Sequence, residues 1–115
     1  MKLLKKFSYA ISGLITGFKQ SSILFVVFWA VVAITVFTII GISYLEWLVV
    51  IVMIALVWLC EWVNSIIEQT IDYISQDYSE QAKKIKDLSA GLVLLSGLMA
   101  FVVGVMILVN TWVRR

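Results

Sequence analysis

The chain has 115 residues, 63% of them hydrophobic, a formal net charge of +2 and a mean hydropathy of +1.06; that is more apolar surface than one small soluble core can hide, and too little positive charge for a nucleic-acid binder. A single cysteine excludes an intrachain disulfide, and the absence of histidine excludes any His-containing metal site, so a metal would have to be held by oxygen ligands.

Residues 2–20, KLLKKFSYAISGLITGFKQ, place Leu3, Leu4, Phe7, Ala10, Ile11, Leu14, Ile15 and Phe18 at spacings of three and four, with lysines and small polar residues between them. The pattern predicts an amphipathic helix lying in the cytoplasmic membrane interface; an ordinary positively charged flank is the plainer alternative. Residues 22–40 then supply an uncharged run long enough to cross a hydrocarbon core of about 30 Å. GISYLEW, with Gly41 and Glu46, predicts a turn. Residues 45–76 contain no Pro or Gly and predict one helix of nearly 50 Å at about 1.5 Å per residue, apolar on all sides at first and amphipathic beyond the hydrocarbon.

A polar loop is expected over 77–86, followed by a third span over 87–112. Because the apolar segments run on to the C-terminus, every segment is read as mature protein. Lys2, Lys5, Lys6 and Lys19 share a side with Lys83, Lys84 and Lys86, which the positive-inside rule makes cytoplasmic, with Trp47 and Trp112 at the opposite interface; Arg114 and Arg115 argue mildly the other way. Small residues on the last span, among them Ser89, Gly91, Ser96, Gly97 and Ala100, favour close helix packing, and three helices bury so little that oligomers are expected.

Glu61, Asn64, Ser65, Glu68 and Asp72 are spaced to fall along one helical stripe where the second span leaves the lipid. Ionisable groups near a span are costly and point to function. Asp72 alone could equally be the solvated end of a helix, and Glu61 could serve a structural hydrogen bond to a neighbouring helix. Carboxylates that bind Mg²⁺, a lysine that offsets phosphate charge and a carboxylate that accepts a hydroxyl proton suit phosphoryl transfer to a lipid. No Gly-rich phosphate loop of the P-loop or protein-kinase type is present. A small proton-coupled transporter built on Glu61 is a less favoured alternative, because three spans with an acidic face continuing into the loop do not suit an inverted-repeat pore.

The E-x-x-N-S-x-x-E run of Glu61, Asn64, Ser65 and Glu68, followed by Asp72, by Asp77-Tyr78 and by KDLSAGLVLL from Lys86, resembles the small bacterial integral-membrane diacylglycerol kinase family, which includes the undecaprenol kinases. FSYAISGLITGFK and ISYLEWL extend the resemblance over nearly the whole chain, ISYLEW being closer to the undecaprenol-kinase branch. The resemblance implies an all-α membrane protein with an N-terminal surface helix and three spans. It implies a homotrimer with shared sites in the bacterial cytoplasmic (inner) membrane, N-terminus cytoplasmic, using MgATP to phosphorylate diacylglycerol or undecaprenol.

By position, Glu61 corresponds to the family's general base and Glu68 to a metal-binding carboxylate. Lys86 and Asp87 correspond to nucleotide-binding positions, with Asp77, Tyr78 and Tyr9 around the nucleotide and Asn64, Ser65 and Asp72 in support. The family usually carries a second metal-site glutamate after the surface helix, in a run such as F-K-T-E; here the run is FKQSS and Ser21 stands in its place. An arginine often found near the family's N-terminus is matched at best by Lys2, which cannot make the bidentate phosphate contact. These departures imply an alternative, a catalytically weakened member with a membrane-binding or regulatory role.

Overall fold

A computed structural model describes residues 2–74 and 77–115, with only the backbone of Ser21. Four helices follow one another: α1 Lys2–Phe18, α2 Ser21–Ile40, α3 Tyr44–Ile74 and α4 Glu80–Arg114. The last three are long and apolar enough to cross a membrane. Bulky apolar side chains such as Ile39, Phe101 and Trp112 stand exposed all along them, as they should where the surrounding solvent is lipid. The chain is an all-α integral membrane protein.

Each break has a local cause. Gly41 adopts φ +80°, a region that disfavours side chains, and its N–H donates to Phe37 O at 3.0 Å, closing α2. A reciprocal pair of bonds then opens α3: Ser43 N donates to Glu46 Oε1 at 3.0 Å and Glu46 N donates to Ser43 Oγ at 3.2 Å. This capping box satisfies two helix-end donors at once. Ser79 caps α4 by accepting from Ala82 N at 3.0 Å.

Because of that cap, α4 begins at Glu80 and ends at Arg114, where a loop over 77–86 and a span over 87–112 were expected. Lys83, Lys84 and Lys86 therefore ride on the first turns of a helix. Of the second span, expected over 45–76, the structure gives Tyr44–Ile74, and residues 75 and 76 lie outside the described residues.

α2, α3 and α4 alternate in direction. α2 meets α3 through Ser22 and Ser65 at one end, while Phe37, Val50 and Ile107 bring all three spans together at the other. Ala33, Ile42, Trp47, Ile54 and Val103 pack around that small core. The amphipathic α1 leaves its apolar side exposed and is fixed at its C-terminal end. Phe18 sits edge-on to Trp58 and Trp62, with ring centroids 5.2 and 5.9 Å away. Gly17 lies so close to the Trp62 ring that a Cβ there would stand 2.0 Å from Cζ2.

Candidate functional site

The carboxylate stripe of α3 lies between two sets of neighbours. On the α4 flank, Asn64 is buried and Ser89 Oγ donates to its Oδ1 at 2.7 Å. One turn on, Asn64 Nδ2 donates to Glu68 Oε1 at 3.3 Å. The buried amide thus links a serine of one span to an exposed carboxylate of another. A further turn along, Lys86 Nζ forms an ion pair with Asp72. Asp87 is paired with Lys83 on its own helix at 2.6 Å. All four groups of these two ion pairs are well exposed, so the pairs contribute little stability and can exchange partners with an incoming ligand.

On the other flank, Ser65 Oγ is 3.1 Å from Ser22 Oγ, and Gln69 Nε2 donates to Gln20 Oε1 at 3.2 Å. Ser65 therefore faces α2, although it is adjacent to Asn64 in sequence, because successive helical residues point about 100° apart. Tyr9 joins this flank and lines, with Ser65 and Gln69, a cleft of about 500 Å³ between α1 and α3. Tyr78 lines a different and more open cleft with Lys83, Lys84 and Asp87. The two tyrosines expected around one ligand thus belong to separate clefts of this chain. Asp77 is exposed in the short connection before α4.

Glu61 is half-buried beside the buried Cys60, and among the described residues no hydrogen bond reaches its side chain. Among the described residues of this chain, the structural hydrogen bond that would have been its plainer role is not made. Among the described residues no three carboxylate or thiol groups are gathered to hold a metal ion, and the side chain of Ser21 lies outside the described residues. A divalent cation at Glu68 would draw its other ligands from phosphate oxygens and water, which is how Mg²⁺ is commonly held at phosphoryl-transfer sites.

Of the stripe, Asn64 is joined to Glu68 and Asp72 to Lys86, while Ser65 turns to Ser22 and Glu61 makes no hydrogen bond among the described residues. Ser89, Ser22, Gln20, Gln69 and Lys83 complete the surroundings without having been singled out for them. Ser89 carries the signal of a small residue on the packing stripe, but only the antiparallel pairing of α3 and α4 reveals that it faces Asn64. A cavity of about 500 Å³ lined by apolar side chains, including Trp29, Val57 and Ala100, opens between the spans on the lipid side of Glu61.

The family model described as prokaryotic diacylglycerol kinase matches residues 8–108. An undecaprenol kinase of Bacillus subtilis (strain 168) is 31% identical over 65 residues, covering 56% of this chain and 53% of that protein. The chain matches about half the length of this curated relative.

Proposed function

The chain belongs to the prokaryotic diacylglycerol kinase family, and we propose on that footing that it transfers the γ-phosphoryl group of MgATP to the hydroxyl of a membrane lipid, diacylglycerol or undecaprenol. The observation that carries the reading is the Ser89–Asn64–Glu68 chain of hydrogen bonds beside the Asp72–Lys86 pair. It sets carboxylates against lysines at one end of a spanning helix pair, where a lipid hydroxyl and a cytosolic phosphate can meet.

In this reading Glu61 takes the proton of the acceptor hydroxyl. The hydroxyl oxygen bonds to the γ-phosphorus as the bond to the β–γ bridging oxygen breaks, and ADP leaves. Lys86 exchanges Asp72 for a phosphate oxygen, which its exposure permits. Glu68, oriented by Asn64, would hold Mg²⁺, which supplies charge neutralisation at the phosphates when bound. Glu61 and Glu68 are separated by about 10 Å of helix, enough to serve the two ends of the reacting pair. The protein works as a homotrimer with shared sites in the bacterial cytoplasmic membrane, with its N-terminus cytoplasmic.

The test is transfer of labelled γ-phosphate from MgATP to diacylglycerol and to undecaprenol, offered separately in mixed micelles. Glu61→Gln and Glu68→Gln should each abolish transfer while leaving the oligomer intact; full activity in either variant overturns the assigned roles. Ser21, where the family has a carboxylate, favours a second reading, a member weakened at its metal site. That reading gains if Ser21→Glu creates transfer where the natural chain has none, and fails if the natural chain is fully active.

A further inference from the structure

At the opposite end of α3 and α4 from the candidate site lies a second polar network. Asn110 Nδ2 donates to Glu46 Oε2 at 3.2 Å, and Arg114 Nη2 donates to Glu46 Oε1 at 2.7 Å. Arg114 also reaches Thr111 Oγ1 at 3.4 Å. The Glu46 side chain is only 14% exposed, whereas every partner in the Lys83–Asp87 and Lys86–Asp72 pairs is at least 38% exposed. Its carboxylate is further fixed by Ser43 N within the capping box, so it cannot swing to follow an α4 that has slipped.

Between this network and the site, the inward positions of α4 are Ser89, Val93, Ser96, Ala100, Val103, Ile107 and Thr111, at spacings of four and three. That is the rhythm of a coiled-coil seam. Nearest the site the seam is made of small side chains, which let helices approach closely and present much the same surface after a slip of one turn. In lipid, burial of apolar area does not penalise such a slip as it would in water. Polar groups at seam positions are the well-attested device for choosing one register.

We propose that Glu46 is a positioning residue: through Arg114 and Asn110 it fixes the register of α3 against α4, and thereby the meeting of Asn64 with Ser89 and of Asp72 with Lys86, which begins about 27 Å away along α3. The proposal rests on the kinase reading only for its activity measurement. Register itself can be read chemically, by disulfide formation in an Asn64→Cys/Ser89→Cys protein that also carries Cys60→Ser.

Glu46→Gln is the informative change, because glutamine still serves the capping box but forms no ion pair. Together with Arg114→Gln it should slow disulfide formation at least severalfold. In the chain with native Asn64, Ser89 and Cys60, the same two changes should lower kcat about tenfold with KM for MgATP little altered. Arg114→Lys should keep both close to the parent. If Glu46→Gln does not yield folded protein, Asn110→Ala with Arg114→Gln replaces it. Unchanged disulfide formation in Glu46→Gln and Arg114→Gln overturns the proposal whatever the activity. Slowed disulfide formation with unchanged kcat overturns the link to the site. If the parent transfers no phosphate, the disulfide measurement alone decides the register claim and the kinase reading fails separately.

Discussion

Removing one hydroxyl, in Ser89→Ala, tests whether the buried amide of Asn64 organises the site. Both residues are nearly inaccessible, Ser89 at 4% and Asn64 at 8% exposure, so no water replaces the lost donor at Asn64 Oδ1. Leaving a buried acceptor unpaired costs about 1–3 kcal/mol, while hydrogen bonds between membrane helices average about 0.6 and reach about 1.7 kcal/mol. The short 2.7 Å bond belongs toward the upper part of that membrane range, and a loss of about 1–2 kcal/mol follows. The functional loss comes through the longer 3.3 Å bond from Asn64 to Glu68, which fails once the amide can rotate. If Glu68 then spends only a tenth of its time correctly oriented, transfer falls about tenfold, equivalent to about 1.4 kcal/mol. Denaturant titration in detergent micelles and the labelled-phosphate assay measure the two effects. In the cycle with Asn64→Leu, the double variant should cost less than the sum of the singles by about 1 kcal/mol. A Ser89→Ala protein with unaltered stability and unaltered transfer would refute the reasoning.

Two further outcomes are expected. Gly17→Ala forces a methyl into the Trp62 ring and should cost about 1–3 kcal/mol as overpacking, relieved by α1 swinging away; tryptophan emission should change, and an unchanged spectrum and stability would show that α1 is not anchored there. Lys86→Met should raise KM for MgATP severalfold with almost no change in stability, since the ion pair with Asp72 is exposed; an unchanged KM would remove Lys86 from the phosphate site.

The three spans were legible because lipid imposes a simple demand, length without charge, on segments such as 22–40, and the amphipathic helix α1 because its apolar residues recur at spacings of three and four. The acidic stripe was legible because a helical period needs no knowledge of neighbours. What escaped depended on partners distant in sequence. Ser65 turns from the α4 flank to meet Ser22, and Tyr9 and Tyr78 fall into separate clefts. The start of α4 was misplaced because a lysine-rich stretch resembles a loop, although Ser79 is a good cap and the charges tolerate a solvated helix. Ser43 and Glu46 were read only as part of a turn; their capping box, and the further use of Glu46 in holding Arg114, emerge from the structure.

The unbroken length of α3 also makes it a ruler. From Glu46 to Glu61 the helix runs about 22 Å and to Glu68 about 33 Å, bracketing a hydrocarbon thickness of about 30 Å. With no hinge between them, the two carboxylates keep a fixed separation from Glu46 along the helix axis, so a change in bilayer thickness is met by tilt or by a change in their depth. A membrane a few ångströms thicker would draw the Glu68 end toward the acyl chains, and a thinner one would lift Glu61 into the headgroups. At a given tilt, bilayer thickness thereby sets the depth at which the chain presents its acidic groups.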